Sequence, residues 1–299
     1  MKQLTIVLTL ALALACQAGR LDADILLHQA DGSELLLQQP ARRLVTLSPH
    51  LAELAFAAHA GDTLLATVEY SSYPEAAARL PRVGDAFRLD IESIVALRPD
   101  LVIAWDSGNP RAAIEQLRSL GLTVWTVEIR EPAEIGETLA DIGRATGNDQ
   151  AAGLAADTID GRLDRLARRY ATAPPLSYFY QVDARPLFTI NGDHLISKGL
   201  ALCGGSNIFE EEPGLAFQVA HESVIVADPD VLIAPVLPGD PDPLAVWNDW
   251  PGMRAVENQA MFTLNADKIS RATPRWLDSV ETACTLMHDS RKQKPTRQE

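Results

Sequence analysis

The chain has few aromatic residues, few cysteines and fewer basic than acidic residues. Only 6% of its 299 residues are aromatic, three are cysteine, and 26 lysines and arginines face 40 aspartates and glutamates. The net charge of −14 repels phosphate backbones and argues against nucleic-acid binding. No apolar run reaches the ~20 residues that a membrane-spanning helix needs. With 47% hydrophobic and 22% charged residues, the composition is typical of a soluble globular protein with a sizeable core.

Motifs of catalysis and of cofactor binding are also missing. There is no GxGxxG after a strand, no GxxxxGK[ST] and no GxSxG, and the six histidines lack the spacing of metal ligands. His50 follows Ser48 and Pro49 near the end of a predicted strand, where a ligand contact is conceivable, but its position favours a surface site in the first turn of a helix. The sequence therefore predicts no metal site, no bound cofactor and no enzyme.

Residues 1–18 have the pattern of an export signal. Lys2 gives the positive start, residues 4–15 form a short apolar core, and small residues follow as far as Ala18. The tetrapeptide ALAC that ends at Cys16 resembles a lipoprotein cleavage site, but alanine stands where leucine is usual. Ordinary cleavage is therefore the favoured outcome, and a lipid anchor at Cys16 is the alternative.

Loss of the leader would leave two cysteines, Cys203 and Cys284. In an oxidising compartment two cysteines form a natural disulfide pair. Two separate buried thiols are the alternative that the sequence leaves open.

The first half of the mature chain has the pattern of one α/β lobe, residues 25–148. Residues 25–37 are predicted to form a hairpin, because Asp31-Gly32 between two apolar runs favours a tight turn. Strand and helix patterns then alternate. This rhythm predicts a parallel sheet covered on both faces.

The second half repeats the first. Residues 92–104 read ESIVALRPDLVIA and residues 222–234 read ESVIVADPDVLIA, at an offset of 130 residues. Phe87 and Phe217 each lie five residues before the glutamate that opens the repeat. A shared frame of this length predicts a second lobe with the same fold, residues 173–290.

A predicted helix, residues 149–172, connects the two halves and would span ~35 Å at about 1.5 Å per residue. The chain then ends in a polar tail, residues 291–299. Together these patterns predict an α/β protein of two Rossmann-like lobes with parallel central sheets, joined by one long helix, with a ligand cleft between the lobes.

Ligands of open α/β sheets bind beyond the carboxyl ends of the strands. Several polar and aromatic side chains are predicted there, and together they would suit a large flat ligand. They are Ser48, Tyr70, Tyr73, Phe87, Trp105 and Phe217. After the last strand pattern, the run Asp267-Lys268-Ile269-Ser270-Arg271 forms a loop that could bind polar amides at a ligand edge.

Five segments carry a family resemblance that covers residues 42 to 288. They are VTLSPHLAELAFAA, VEYSSYPEAA, IESIVALRPDLVIAW, LCGGSNIF and DKISRATPR. The chain resembles the helical-backbone substrate-binding proteins of bacterial ABC importers, and within them the cobalamin-binding branch. The first and third segments are shared with siderophore- and haem-binding relatives. The segment around Tyr70, LCGGSNIF and the loop from Asp267 favour the cobalamin branch.

The resemblance implies a periplasmic, monomeric protein that binds cobalamin or a close corrinoid as cargo and delivers it to the membrane subunits of an ABC importer. It implies that Tyr70 leans on the corrin, that Trp105 lies in the cleft, and that the loop from Asp267 to Arg271, including Lys268, Ile269 and Ser270, contacts the periphery of the ligand. Cys203 and Cys284 fall on a family disulfide. Glu92 and Glu222 fall on one outward-facing glutamate per lobe that docks on the importer.

The chain also departs from the best-known member of the family. Two cleft positions that carry tryptophan there are Ala86 and Ala216 here, and Phe87 and Phe217 are predicted to act as platforms instead. Three other functions stay open at this point. They are the same fold with haem or a ferric siderophore as cargo, an exported two-lobed enzyme, and a sensor or adaptor domain.

Overall fold

A computed structural model describes residues 24–293 of the protein. The predicted leader, residues 1–18, lies outside this range with Cys16. Within the range, no helix combines the length and the apolar character that crossing a membrane requires.

The N-terminal lobe is built on a four-stranded parallel sheet with the strand order β4-β3-β5-β6. Its strands read as short apolar runs because helices cover both faces of the sheet. The strands are β1 (Ile25–His28), β2 (Glu34–Leu37), β3 (Leu44–Thr46), β4 (Leu64–Ala66), β5 (Leu101–Trp105) and β6 (Val124–Val127). The helices are α1 (Pro49–Ala57), α2 (Glu75–Ala78), α3 (Ile91–Ala96), α4 (Arg111–Ser119) and α5 (Glu134–Thr146).

Strands β1 and β2 form the predicted hairpin outside that sheet. They pair antiparallel, and Gly32 takes a φ of +81° in the turn, where the side chain of Asp31 accepts a hydrogen bond from the Ser33 amide at 2.9 Å. The indole of Trp125 donates to the carbonyl of His28 at 2.8 Å and fixes the hairpin to β6.

The C-terminal lobe contains a second parallel sheet and a small antiparallel one. The connecting helix is α6 (Asp149–Tyr170). The strands are β7 (Leu176–Tyr180), β8 (Asp183–Ala184), β9 (Leu187–Ile190), β10 (Gly205–Asn207), β11 (Ala216–Gln218), β12 (Val231–Val236) and β13 (Met261–Asn265). The helices are α7 (Leu195–Ala201), α8 (His221–Ala227), α9 (Arg254–Glu257), α10 (Ala266–Ile269) and α11 (Pro274–Gln293). The parallel sheet has the order β10-β7-β12-β13, and the antiparallel one has the order β11-β9-β8.

The internal repeat of the sequence is a repeat of structure. In both parallel sheets the strands occur in the order second, first, third, fourth along the chain. Arg98 and Asp228, at equivalent positions before a proline, both adopt left-handed backbone angles, with φ of 47° and 44°. Asp100 and Asp230 each accept a hydrogen bond from a backbone amide at or just before the first strand of their own sheet, at 2.9 and 3.0 Å. The prediction of two lobes with one fold is confirmed.

Helix α6 connects the lobes and packs along α5. Its 22 residues span about 33 Å. A side chain at Gly143 would place its Cβ 2.1 Å from the Cβ of Ala152, so glycine is required for the close approach of the two helices. Helix α11 continues through Gln293, which adds residues 291–293 of the predicted tail to the last helix.

One hydrophobic core runs through both lobes. It contains one face of each parallel sheet, the buried face of α6 and much of α11. Each lobe also has a smaller core on the other face of its sheet. Because the main core is shared, movement of one lobe against the other would disturb packed side chains, which limits the range of that movement.

Polar contacts also join the lobes. The carboxylate of Glu53 on α1 accepts hydrogen bonds from the guanidinium of Arg275 on α11 at 2.7 and 2.6 Å, and another from the hydroxyl of Thr273 at 2.7 Å. The side chain of Glu53 is only 3% exposed. Lys198 forms an ion pair with Glu131 across the same boundary.

A disulfide joins Cys203, just after α7, to Cys284 in α11, as predicted. Both residues are fully buried, and the bond closes a loop of 81 residues. Replacing both with serine is expected to lower the free energy of unfolding by about 2 to 5 kcal/mol, because the unfolded chain regains the entropy of that loop. Urea denaturation of the oxidised protein and the double variant measures the difference. A loss below about 1 kcal/mol would contradict this expectation.

Candidate ligand-binding cleft

A cavity of about 500 Å³ lies where the carboxyl ends of strands from both parallel sheets meet. This is the position at which open α/β sheets bind ligands. The N-terminal lobe contributes Pro49, His50, Trp105, Glu128, Ile129 and Arg130 to its walls. The C-terminal lobe contributes, among others, His194, Leu215, Leu237, Asp267 and Arg271.

Trp105 is the last residue of β5 and lines the cleft, and its contact with a ligand stays a prediction. Asn109 holds this strand end in place, because its side chain accepts from the Trp105 amide at 2.7 Å and donates to the carbonyl of Leu47 at 2.9 Å. The ring packs directly on the backbone at Gly108, where a Cβ atom would lie 1.9 Å from the indole. Glycine at 108 is therefore required for this position of the Trp105 ring.

His50 lies in the cleft rather than on the outer surface, so the surface prediction was wrong. Its ring is half-buried, stands edge-on to Trp105 at 5.3 Å between centroids, and lies 3.0 Å through Nδ1 from the hydroxyl of Ser48. The sequence placed His50 correctly in the first turn of α1. The direction of its side chain depends on Trp105, 55 positions along the chain, and could not be deduced locally.

His194 approaches the same cleft from the other lobe, and the sequence gave no sign of it. It is the residue before α7, where its Nδ1 accepts a hydrogen bond from the amide of Ile196 at 3.2 Å. Burial lowers the pKa of His194 to about 4. Burial, with a smaller contribution from the charge of Arg271, lowers the pKa of His50 to about 4. Both imidazoles are therefore neutral near pH 7.

The segment from Asp267 to Arg271 was expected to be a loop, but its first three residues belong to helix α10, and most of the segment borders the cleft. Asp267, Ile269, Ser270 and Arg271 line the cavity, although the side chain of Ile269 is almost wholly buried. Lys268 is not among the lining residues, and its amide donates to the side chain of Asn265 at 3.1 Å.

Arg271 reaches across from its own lobe to the other. Its guanidinium donates to the Asp267 carboxylate at 2.6 Å and to the carbonyl of Tyr70 at 3.1 Å. Tyr70 has a φ of 65°, in the left-handed region, and its side chain is 78% exposed. The arginine thus holds the Tyr70 segment of the N-terminal lobe beside the cleft.

The other predicted aromatic residues lie outside the cavity itself. Phe87 is 71% exposed, in a turn whose neighbour Ala86 accepts a hydrogen bond from Asn109 at 2.8 Å. Phe217 is in β11 and packs edge-on against Phe209 at 6.1 Å. Neither Tyr70, Phe87 nor Phe217 lines the cavity, so their contact with a ligand stays a prediction.

The charges around the cleft are mixed. Glu128, Asp193 and Asp267 carry negative charge, and Arg130 and Arg271 carry positive charge. Such a balance suits a ligand with polar edges and little net charge better than a polyanion. No motif in the sequence marks Glu128, Arg130 or Asp193, which each follow a strand in an irregular segment.

Glu92 and Glu222 occupy equivalent places in the two lobes. Each is the second residue of its helix, α3 or α8, and each is exposed. Within residues 24–293 neither side chain has a hydrogen bond or an ion pair. Both carboxylates are therefore available to a partner.

A second cavity, of about 550 Å³, lies between α6 and α11. It lies away from the strand ends, and its most buried cation, Arg162, already binds Glu281 and Asp278 at 2.8 and 2.6 Å. The cleft between the lobes is the better candidate for a ligand site.

The lowered pKa values of His50 and His194 predict that stability falls in mild acid. The unfolded histidines bind protons below about pH 6.5, whereas the folded ones stay neutral until about pH 4. The contribution of the two neutral histidines to stability is therefore complete above pH 6.5 and is lost as the pH falls toward 4. From pH 7 to pH 5 we expect the free energy of unfolding to drop by about 2 to 4 kcal/mol.

Urea denaturation at the two pH values measures this loss. The matched control is the double variant His50→Gln with His194→Asn, in which asparagine can still cap α7. The loss should be much smaller in the control. Equal losses in both proteins would contradict the assignment to these two histidines.

Two lobes of one fold, joined by a long helix around a cleft at their strand ends, define a two-lobed ligand-binding protein. The chain belongs to the periplasmic binding protein family, whose sequence pattern matches residues 44–267. Membership of this family places it in the periplasm.

The chain is similar to vitamin B12-binding and heme-binding members of this family, to different degrees. The vitamin B12-binding protein of Vibrio cholerae is 37% identical over 258 residues, which cover 85% of this chain and 92% of the relative. The crystal structure of the periplasmic vitamin B12 binding protein of Vibrio cholerae matches with a TM-score of 0.78 at 36% identity, over 85% of this chain and 99% of that one. The periplasmic heme binding protein of the same organism matches with a TM-score of 0.72 at 21% identity, over 82% and 98%. At that identity the heme-binding relative shows the fold alone.

Proposed function

We propose that this protein binds cobalamin, or a close corrinoid, in the cleft between its lobes and delivers it to an ABC importer. The observation that carries the proposal is the similarity to the vitamin B12-binding protein along nearly the whole chain, at 37% identity. The heme-binding relative shares far fewer residues, 21%, over a similar length. We propose no catalytic step and no resident cofactor, with the corrinoid carried as cargo.

The composition of the cleft supports a large, flat and nearly neutral cargo. Trp105 gives an aromatic wall, and Tyr70 and Phe87 extend aromatic surface beyond the cavity because both are exposed. The mixed charges of the rim suit the amide-rich edge of a corrin. A ferric siderophore, which is commonly anionic, would be better matched by an excess of basic groups.

Affinity in this proposal comes from a site that is largely formed before the ligand arrives. The shared core and the buried pair between Glu53 and Arg275 hold the lobes in a fixed relation. Arg271 already holds the Tyr70 segment at the edge of the cleft. A preformed site avoids the cost of ordering loops on binding.

Delivery would use the two exposed glutamates. Glu92 and Glu222 belong to equivalent helices, so one monomer presents a carboxylate on each lobe. Carboxylates of this kind bind arginine in bidentate geometry, which fixes orientation as well as proximity. We propose that they dock on arginines of the membrane subunits of the importer.

Fluorescence titration with cyanocobalamin tests the binding step. The corrin absorbs where tryptophan emits, so a ligand beside Trp105 should quench emission in a saturable way. Trp105→Phe should lower the quenching and weaken binding about tenfold, since part of the aromatic wall is lost. The matched control is Trp250→Phe, which changes a tryptophan that does not line the cleft. Saturable quenching that is the same in Trp105→Phe would contradict the placement of the ligand.

A further inference from the structure

Two histidines from opposite lobes line the same cleft, and neither has a role in the proposed function. His50 comes from the N-terminal lobe and His194 from the C-terminal lobe. In a cleft for a metal-containing ring, two imidazoles could act as ligands of the metal or as hydrogen-bond donors. The choice depends on which ring nitrogen carries the proton.

The proton of His194 is fixed by the backbone. Its Nδ1 lies 3.2 Å from the amide of Ile196, and an amide can only donate. Nδ1 is therefore the acceptor, and in the neutral ring the proton is on Nε2. That nitrogen has no partner within the described chain, and it is not among the buried unpartnered atoms. The N–H of Nε2 is thus free on a ring that lines the cleft.

The proton of His50 is fixed by Ser48. The hydroxyl of this serine is fully buried and already accepts the amide of Leu51, as the cap of α1. The O–H of Ser48 has one acceptor within reach among residues 24–293, which is Nδ1 of His50, 3.0 Å from the serine oxygen. If Nδ1 carried the proton instead, the buried O–H would have no acceptor, which is costly. Neutral His50 therefore also has its proton on Nε2, and this nitrogen has no partner among the residues that the structure describes.

We infer that His50 and His194 are paired N–H donors that bind acceptor oxygens of the cargo from both lobes, and that neither is a ligand of its metal. The inference rests on the proposed function for the identity of the cargo. A corrinoid carries such acceptors as side-chain amide carbonyls and a nucleotide phosphate. Metal ligation through Nε2 would require its lone pair and would move the proton to Nδ1. His194 would then lose its hydrogen bond from the Ile196 amide, and the buried hydroxyl of Ser48 would lose Nδ1 of His50 as its acceptor.

Two N–H donors in the cleft would favour a corrinoid over a free haem. The cleft offers these two histidines to a metal ring whose axial positions are already occupied, as in cobalamin with its own upper and lower ligands. The iron of a free haem binds an imidazole through a nitrogen lone pair, but both histidines present a protonated Nε2 to the cleft. Among the described residues, no group of three or more histidine, cysteine or acidic side chains stands in for the missing metal ligands.

The tautomers can be tested without any cargo. Long-range ¹H–¹⁵N spectra of the apo protein, labelled on histidine, distinguish a protonated from an unprotonated ring nitrogen. At pH 7 we expect both rings to show a bare Nδ1 and a protonated Nε2. Assignment of the two signals uses the single variants His50→Phe and His194→Asn. Protonated Nδ1 on either ring would overturn the inference for that histidine.

The role toward the cargo is tested by affinity. His50→Phe should weaken cyanocobalamin binding about three- to tenfold through loss of one donor, and His50→Gln, which keeps a terminal N–H, should restore most of it. His194→Asn keeps the cap of α7 but cannot reach into the cleft, so it should weaken binding to a similar degree. Wild-type affinity in both His50→Phe and His194→Asn would overturn the inference.

Aquocobalamin tests the metal directly, because imidazole displaces its axial water and shifts its visible bands. We expect binding to the wild-type protein to leave those bands unshifted. A shift that disappears in His50→Phe or His194→Asn would show ligation and overturn the inference. A wild-type protein that binds no cyanocobalamin would instead overturn the proposed function, while the tautomers measured in the apo protein would still decide the hydrogen-bond assignment.

Discussion

Replacing Arg275 with leucine is expected to lower the free energy of unfolding by about 3 to 5 kcal/mol. The guanidinium of Arg275 binds both oxygens of Glu53, whose side chain is 3% exposed, and it stacks over the ring of Tyr73 at 3.8 Å. Without the arginine, a charged carboxylate stays buried between the lobes, and Thr273 is the one hydrogen-bond partner it keeps among residues 24–293. Such an uncompensated charge is among the largest single costs in a folded protein.

Two further variants separate this effect from a general loss of charge. Arg79→Ala removes an ion pair whose side chains are 75% and 82% exposed, and it should cost less than about 1 kcal/mol. The double variant Glu53→Gln with Arg275→Leu removes both buried charges and should recover much of the loss. Chemical denaturation measures all three. A cost for Arg275→Leu no larger than that for Arg79→Ala would show that the pair does not hold the lobes together.

Reversing the charge of both docking glutamates is expected to abolish uptake of the cargo while leaving its binding unchanged. In the double variant Glu92→Arg with Glu222→Arg, a guanidinium replaces each carboxylate that is proposed to pair with an arginine of the importer. Two positive charges would then face each other at close range, which strongly disfavours the complex. Neither glutamate lines the cleft, so the affinity for cyanocobalamin should stay within about twofold of the wild type.

The matched control makes the same change of charge elsewhere. Asp149→Arg with Asp157→Arg alters two exposed residues of α6 and should leave uptake near the wild-type level. Growth on cobalamin in cells that carry the importer but lack their own binding protein reports uptake, and calorimetry reports affinity. Normal uptake by the glutamate double variant would refute the docking role. A large loss of affinity would show instead that the two residues belong to the binding site.

The general architecture could be predicted because it is repeated within the sequence. The segments that begin at Glu92 and Glu222 share a helix, a Pro-Asp turn and a buried strand, and the structure gives both the same place in sheets of the same order. The hairpin at Asp31-Gly32, the long helix and the disulfide also depend on local signals or on a simple count of cysteines. The leader and the question of a lipid at Cys16 stay predictions, since they lie outside the described residues.

The parts that could not be predicted depend on contacts between distant residues. Glu53 reads as one polar residue in an apolar helix, and only the arrival of α11 shows that Arg275 compensates it. His50 and His194 are 144 positions apart with no motif around either, and they share a cleft only because two lobes face each other. Arg271 was identified in its loop, but its bond to the Tyr70 carbonyl required the same meeting of lobes.

The most direct test of the central claim is a calorimetric titration of the mature protein with cyanocobalamin, beside parallel titrations with haemin and a ferric siderophore. We expect saturable one-to-one binding of cyanocobalamin and no saturable binding of the other two. Saturable binding of haemin or of the siderophore by a folded protein that ignores cyanocobalamin would leave the two-lobed fold intact and contradict its assignment as a cobalamin-binding protein.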